Sequence, residues 1–172
     1  MFHNILVSFD GSPDAERALR EAIDLAGVSN ARLTILTATE HPPSVAFSGT
    51  AAAAAQELSG ALEREAEDTL RRAEQRVPTE IPVIAILAAE PIRGALMKSI
   101  QEGGHDLVVM GSRGRGALAS TVLGSVSHHI LHHSPVPVLI VHAQPQGVDA
   151  THERASPAAG GARSSPQTDR VE

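Results

Sequence analysis

The chain has 172 residues, 42% of them hydrophobic, with no cysteine and a formal net charge of −6. This length suits one domain with a substantial core, and the missing cysteines exclude disulfides and thiolate metal sites. The negative charge and the presence of only three aromatic residues disfavour nucleic-acid binding. The lack of any apolar stretch of about 18 residues predicts no membrane span, and the start carries Asp10 within a strand pattern, which does not support a signal peptide, so we expect a cytoplasmic protein.

An apolar strand followed by a capped helix opens the chain. Residues 4 to 9 are predicted as the strand, after which Ser12 suits an N-cap and Pro13 a first helical position. Gly27 is expected to end this first helix. Asp10 stands at the carboxyl end of the strand, where it could hold a Mg²⁺ ion or, alternatively, only cap the turn into the helix.

The second strand is predicted at residues 32 to 38, and a long helix with an apolar stripe from Leu58 to Val77 follows it. Residues 40 to 55 join the two and include an alanine run, Ala51 to Ala55. Alanine favours helix, so this run either extends the long helix backward or remains mobile as a lid.

A third strand at residues 82 to 88 and a third helix from Pro91 to Gly103 continue the alternation. The last strand is predicted at residues 136 to 141. Five strands alternating with four helices are typical of an α/β fold with a doubly wound parallel sheet. The polar segment 144–172 has no periodic apolar face, so we expect a disordered, dispensable tail after a single domain at residues 1–143.

The fourth strand, residues 106 to 111, leads into a glycine cluster. Gly111 and Gly114 are followed after nine residues by Gly124, next to Ser125, where helical spacing of apolar residues begins. Unpaired N–H groups at a helix start attract anions, and glycines there would let the backbone approach a ligand. The spacing matches neither the Walker A nor the dinucleotide motif, and a tight turn with a flexible loop is the alternative.

Three segments resemble the universal stress protein family. They are NILVSFDGSPDAERALREA near the start, DLVVMGSRGRG, and LGSVSHHILHHSPVPVLIV near the end. The resemblance covers residues 3 to 142. ATP-binding members of that family carry Gly-x2-Gly-x9-Gly-Ser/Thr, which the glycine cluster and Ser125 match at every fixed position.

The resemblance implies a single-domain, Rossmann-like five-stranded parallel sheet of order 3-2-1-4-5 with helices on both faces. The ends of strands 1 and 4 would then lie side by side, at the switch point where such folds bind ligands. The family also pairs through its last strand. Because Val136 to Val141 is a β-prone run at a sheet edge, we expect a homodimer formed there.

The family resemblance further implies ATP with Mg²⁺ in this crevice. Asp10 would hold the metal, and Ala38 would occupy the adenine-contacting position, where relatives often have the larger valine. Arg113 and Arg115 could offset phosphate charge, and Ser125 and Ser127 would add hydroxyl donors. The nucleotide-binding residues expected in this way are Asp10, Gly11, Ser12, Ala38, Met110, Gly111, Arg113, Gly114, Gly124, Ser125, Val126 and Ser127.

Four histidines, His128, His129, His132 and His133, follow on the last helix. Residues four apart share a helix face, so two imidazoles could hold a transition metal. No carboxylate nearby in sequence completes a site, so we expect a polar face or subunit contact at the helix end.

The leading functional hypothesis is an ATP-binding regulator of the stress response that acts through an unidentified protein partner. No constellation for catalysis stands out, because no group is obviously positioned to activate water against a phosphate. Two alternatives remain open. The first is a slow Mg²⁺-dependent ATPase that uses Asp10, and the second is a dimeric interaction module that does not bind nucleotide.

Overall fold

The structure is a computed structural model that describes residues 1–39, 50–116 and 123–143. The predicted tail and most of the predicted lid, residues 40–49, lie outside the described residues. Its strands are β1 (Asn4–Ser8), β2 (Arg32–Ala38), β3 (Val83–Ala88), β4 (Leu107–Gly111) and β5 (Val138–Val141). Its helices are α1 (Pro13–Ser29), α2 (Thr50–Glu74), α3 (Ile92–Glu102) and α4 (Ser125–His133).

All five strands are parallel and form one sheet in the order β3-β2-β1-β4-β5, which confirms the predicted topology. The central strand β1 pairs with β2 on one side and with β4 on the other. Its partners in β4 begin with Ile5 opposite Leu107. Strand positions covered on both faces favour apolar residues, which explains the continuous apolar runs at residues 5–7 of β1 and 107–110 of β4.

The helices cover the two faces of the sheet. Alternate residues of β1 point to opposite faces, so Ile5 and Val7 pack under α1 and α2, and Leu6 packs under α3 and α4. The helices contribute Ala18, Leu19 and Ala22, among others, to the first core, and Ala95, Leu96 and Ile130, among others, to the second. The reversal of strand order between β1 and β4 leaves a crevice at their carboxyl ends.

The predicted end of α1 at Gly27 is wrong. The helix continues to Ser29, and Asn30 ends it in the left-handed conformation, with φ of 51°. The N–H of the residue after it, Ala31, donates to the Ala26 carbonyl at 3.0 Å. Asparagine tolerates this conformation, whereas a glycine within a helix costs only about 1 kcal/mol relative to alanine, so Gly27 does not stop the helix.

The alanine run belongs to α2, because this helix starts at Thr50. The helix ends at Glu74, so Val77, at the end of the predicted stripe, lies beyond it and packs against the first core. Leu58, at the other end of the stripe, is half exposed. None of the helices in the described part of the chain is long and apolar enough to cross a membrane.

Candidate functional site

A cavity of about 770 Å³ lies at the carboxyl ends of β1 and β4. Its walls come from the ends of β1, β2 and β4, the starts of α3 and α4, and the loop after β4. Its volume falls within the range of small-molecule sites. The sequence-predicted residues among its lining are Asp10, Ala38, Met110, Gly111, Arg113, Gly114, Gly124, Ser125, Val126 and Ser127. Arg115, which the sequence suggested as a partner for phosphate charge, also lines the cavity, and the lining residues that the sequence reasoning did not select are Ser8, Phe9, Ala15, Thr39, Ala89, Pro91, Ile92 and Gly116.

The start of α4 presents backbone donors to this cavity. The N-cap is Gly124, which has no side chain to cap the helix, and its own N–H donates to the Ser112 carbonyl at 2.7 Å. The first helical bond runs from the His128 N–H to the Gly124 carbonyl at 2.9 Å. Within the described residues, the N–H groups of Ser125, Val126 and Ser127 therefore have no acceptor, and all three residues line the cavity.

The start of α1, on the far side of the loop, is arranged differently. Its N-cap Ser12 accepts a hydrogen bond from the Ala15 N–H at 3.3 Å and donates one to the Arg113 carbonyl, also at 3.3 Å. Ser12 is buried and does not line the cavity. Its hydroxyl stabilises the helix start and the loop, which corresponds to the capping role that the sequence also allowed.

Gly11 also lies outside the cavity lining. Its φ of +77° is in the left-handed region, where other residues are strained. A Cβ at this position would lie 3.2 Å from Nη2 of Arg115 and 3.3 Å from Cγ2 of Thr69. Gly11 thus lets the turn after β1 pass close beneath the Arg115 side chain.

Asp10 faces the cavity and also organises the turn. Its Oδ1 accepts the Ser12 N–H at 2.9 Å, and its Oδ2 accepts the Arg115 N–H at 3.0 Å. Each carboxylate oxygen can accept a second hydrogen bond or coordinate a cation, because it has two lone pairs. The capping role of Asp10 is therefore present, and it leaves ligand capacity toward the cavity.

The space that two of the glycines leave is filled by the protein itself. A Cβ on Gly111 would lie 2.8 Å from the backbone nitrogen of Ala15, and one on Gly114 would lie 2.7 Å from Oδ2 of Asp10. The expectation that these glycines make room for a ligand is therefore wrong for their Cβ positions. The absence of a side chain at Gly111 allows the start of α1 to pack against β4, and the absence of one at Gly114 leaves space for the Asp10 carboxylate.

The serine side chains at the start of α4 differ in availability. Ser127 is buried, and its hydroxyl donates to the Gly111 carbonyl at 2.8 Å. The hydroxyl proton is used in this bond, so the prediction that the Ser127 hydroxyl donates to a ligand is wrong. The backbone N–H of Ser127 remains available as a donor. Ser125 is exposed at the first helical position.

Both loop arginines are already paired. The Arg113 Nε lies 3.4 Å from Oδ2 of Asp14. Arg115 donates from Nη1 to Glu65 at 2.8 Å, from Nη2 to Thr69 at 3.0 Å, and from Nε to the Asp10 carbonyl. Arg115 therefore joins the loop to α2.

Two residues that sequence reasoning missed, Asp14 and Ser112, hold the loop from beneath. Both are buried, and the Ser112 hydroxyl donates to Oδ2 of Asp14 at 2.5 Å. Burial alone would raise the pKa of Asp14, but hydrogen bonds from Ser112, Ala143 and Arg113 lower the pKa below its usual value. The available signal was an acidic residue in the first turn of α1, where the helix dipole favours a negative charge.

The histidines of α4 form two ring pairs. The ring centroids of His128 and His132 are 4.4 Å apart, and those of His129 and His133 are 4.3 Å apart and stacked. Burial, together with the charges of His133, Arg93 and His128, lowers the pKa of His129. Across the described ranges, no cluster of three or more histidine, cysteine or acidic side chains is arranged to hold a metal ion.

Comparison with known proteins gives consistent matches. The family model described as "Universal stress protein family" matches residues 1–142. A universal stress protein of Thermus aquaticus is 36% identical over 144 residues, which span 82% of this chain and 99% of the relative. Universal stress protein UspA from Lactobacillus plantarum has a TM-score of 0.71 at 25% identity, covering 81% of this chain and 97% of that one.

Several similar structures contain nucleotides. A universal stress protein in complex with cAMP is 31% identical with a TM-score of 0.55, covering 83% of this chain and 98% of that one. The Archaeoglobus fulgidus protein with dAMP is 19% identical with a TM-score of 0.57, and the Arabidopsis thaliana protein with AMP is 14% identical with a TM-score of 0.61. These two matches cover 81% and 83% of this chain and 97% and 92% of the respective neighbours. Because the identities of these two matches are low, they show a similarity of fold only.

Proposed function

The chain belongs to the universal stress protein family, and we propose that it binds ATP with Mg²⁺ in the cavity between β1 and β4, as a nucleotide-responsive regulator of the stress response. The observation that carries this proposal is the start of α4. Its first three N–H groups, on Ser125, Val126 and Ser127, line the cavity without an acceptor among the described residues. Such donors, aligned with the helix dipole, favour a phosphate group.

The cavity also has an apolar lining that suits a base. Its apolar residues include Phe9, Ala38, Ala89, Ile92 and Met110. An adenine ring stacked on such a surface gains roughly 25 cal/mol for each Å² of apolar area removed from water. Ala38 is smaller than the valine that the family often has at this position, so it would contribute less of this area. The cAMP complex of a 31% identical relative supports an adenine nucleotide as the ligand class.

Mg²⁺ fits the donor set that the site offers. The ion prefers oxygen ligands, usually keeps several waters, and is commonly bound by one or two carboxylates together with substrate phosphates. Asp10 is the only acidic residue among the described cavity lining, and each of its oxygens has one hydrogen bond and one remaining lone pair. Asp10 would therefore hold the ion, which would neutralise the phosphates beside a carboxylate that otherwise repels them.

Binding is favoured over hydrolysis as the main activity. A hydrolase needs a group that orients the attacking water, in addition to a metal and a cationic clamp. The described lining of the cavity contains no histidine, lysine or glutamate. Asp10 already accepts hydrogen bonds from two N–H groups. A slow ATPase is therefore the second candidate and not the first. Release of ADP under single-turnover conditions would distinguish the two.

We further propose that the protein is a homodimer paired through β5. This strand lies at an edge of the sheet, and Leu139 on it is partly exposed. An unpaired edge with apolar side chains favours strand pairing with another copy. A further protein partner, which is unidentified, would then recognise whether nucleotide is bound.

The test begins with mass spectrometry of the nucleotide released from freshly purified protein. Nucleotide-stripped protein is then titrated calorimetrically with ATP, with and without Mg²⁺, and with ADP, AMP and cAMP. We expect ATP binding that weakens when Mg²⁺ is chelated. Stripped, folded protein that gives no heat and no thermal shift with ATP at millimolar concentration would overturn the proposal and favour the nucleotide-independent interaction module.

A further inference from the structure

We propose that Asp14 positions the phosphate-facing end of the cavity and ties it to the chain that leaves β5. Asp14 does not line the cavity, so it is a positioning residue that acts through the loop after β4. This inference rests on the proposed function for its effect on nucleotide binding. Its structural part, the control of the loop, stands independently of any ligand.

The Asp14 carboxylate gathers donors from two distant segments. Its Oδ2 accepts the Ser112 hydroxyl at 2.5 Å, the Arg113 N–H at 3.1 Å and the Arg113 Nε at 3.4 Å. Its Oδ1 accepts the Ala143 N–H at 3.0 Å. The carboxylate is buried, and a buried carboxylate is stable only when such donors satisfy it. Hydrogen bonds to an ionised group are also stronger than those between neutral groups.

Ser112 carries this constraint to α4. The residue is fully buried, and the Ser112 carbonyl accepts the Gly124 N–H at 2.7 Å. Gly124 is the N-cap of α4, so this bond sets the direction in which the helix begins. The path from Asp14 through Ser112 to Gly124 therefore consists of two hydrogen bonds joined by one residue. At its end stand the three N–H groups that face the cavity.

The same residue reaches the sheet edge. The Ser112 N–H donates to the carbonyl of Val141, the last residue of β5, at 2.8 Å. Ala143, two residues later, donates to Asp14. The loop and the exit of β5 are therefore held by one carboxylate and one serine. A displacement of the loop would therefore disturb these hydrogen bonds at the point where the chain leaves the edge strand.

The space around Asp14 gives it little freedom to adapt. A Cβ at Gly111 would lie 2.9 Å from Cβ of Asp14, so the start of α1 packs directly on the end of β4. Asparagine has nearly the same shape as aspartate, but its NH₂ group is a donor and must face at least one of the donors that Asp14 accepts. Asp14→Asn therefore removes the charge and part of the hydrogen bonding with little change in volume.

The chain offers a matched control in Asp106. This carboxylate also accepts two backbone N–H groups, from His3 at 2.7 Å and from Asn4 at 3.0 Å. The pKa of Asp106 is also lowered, because these bonds outweigh the effect of burial. It lies at the amino ends of β1 and β4, at the opposite end of the sheet from the cavity. Asp106→Asn thus removes a carboxylate that also accepts two backbone N–H groups, but is more exposed than Asp14, without touching the loop.

The experiment compares the wild-type protein with Asp14→Asn, Ser112→Ala and Asp106→Asn. Amide hydrogen exchange is first measured without nucleotide. We expect Asp14→Asn to speed exchange about tenfold or more at Ser112, Arg113, Gly124 and Ala143, because the charge of the acceptor and part of its hydrogen bonding are lost. Asp106→Asn should instead speed exchange near Asn4 and leave the loop unchanged.

ATP affinity is then measured under conditions where every variant is folded. Asp14→Asn and Ser112→Ala should each weaken it about tenfold, while Asp106→Asn should keep it within about twofold. If Asp14→Asn does not fold, Ser112→Ala decides, because it removes the shortest of the bonds and leaves the charge in place. Exchange that remains unchanged at the loop, or an equal loss of affinity in Asp106→Asn, overturns the inference.

Failure of the proposed function gives a different result. If wild-type protein binds no ATP while Asp14→Asn still loosens the loop and the Ala143 amide, the nucleotide site is wrong and the positioning role of Asp14 holds. If wild-type protein binds ATP and Asp14→Asn alters neither exchange nor affinity, the nucleotide site holds and the role of Asp14 is wrong.

Discussion

Substitution of Gly124 by valine tests the start of α4 as the phosphate site. The backbone at Gly124 has φ of −69° and ψ of 159°, an extended conformation that valine also adopts. A Cβ there would lie 3.3 Å from the Ser112 carbonyl oxygen and 3.5 Å from Cα of Arg113. The branched side chain therefore presses on the loop and displaces the helix start, and it does not force an unfavourable φ.

The expected loss of ATP affinity follows from the backbone N–H donors at the start of α4 that the substitution displaces. A hydrogen bond to a charged group contributes about 1.5 to 3 kcal/mol, so misalignment of one such N–H should weaken ATP binding by roughly 10- to 100-fold. Crowding of the loop should lower the free energy of unfolding by about 1 to 3 kcal/mol. Gly124→Ala, which lacks the branch, should fall between the wild type and valine in both respects.

The assay is calorimetric titration with ATP and Mg²⁺, together with circular dichroism to establish that each variant is folded. Gly27→Val is the control, because a Cβ at Gly27 has no neighbour within 4 Å and Gly27 does not line the cavity. The control should bind ATP like the wild type. Unchanged affinity in folded Gly124→Val would refute the assignment of this helix start as the phosphate site.

Three further predictions follow from the same site and sheet. Asp10→Ala should bind ATP with a reduced dependence on Mg²⁺ in calorimetric titrations, and a full Mg²⁺ response in this variant would contradict the metal role. Light scattering at micromolar concentration should give twice the 17.9 kDa chain mass, whereas a monomer would exclude stable pairing through β5. The lowered pKa of Asp14 means that its ionisation stabilises the fold above the ordinary carboxyl pKa, and that this contribution is lost as pH falls through the lowered value. Asp14→Asn should therefore show a smaller loss of urea stability between about pH 5 and pH 2; a loss equal to that of the wild type would contradict this.

Most of the fold could be predicted because buried parallel strands are continuous apolar runs. Strand β2 was predicted at its observed bounds, and β1 differs by one residue at its end. The error at Gly27 has a simple cause, since a helix tolerates an internal glycine when Asn30 supplies the left-handed turn three residues later. The strand order came from the family resemblance, because periodicity alone does not order strands.

The cavity residues could be predicted where they follow a strand or begin a helix. Asp14 could not, because its partners Ser112 and Ala143 lie 98 and 129 residues away along the chain. The glycine positions could be predicted, but a sequence does not show which neighbouring group occupies the space that the missing side chain leaves. At Gly111 the neighbour is α1, and at Gly114 it is the Asp10 carboxylate.

The charges around the cavity suggest how nucleotide binding could alter the protein surface. Arg113 is paired with Asp14, and Arg115 is paired with Glu65 on α2. A phosphate bound at α4 therefore meets backbone donors first, since neither guanidinium is free. A nucleotide that drew Arg115 toward its phosphates would have to weaken the contact with Glu65 and so release the loop from α2. Because an exposed pair such as Arg115–Glu65 is worth about 1 kcal/mol or less, the bound phosphate could exchange this contact at small cost.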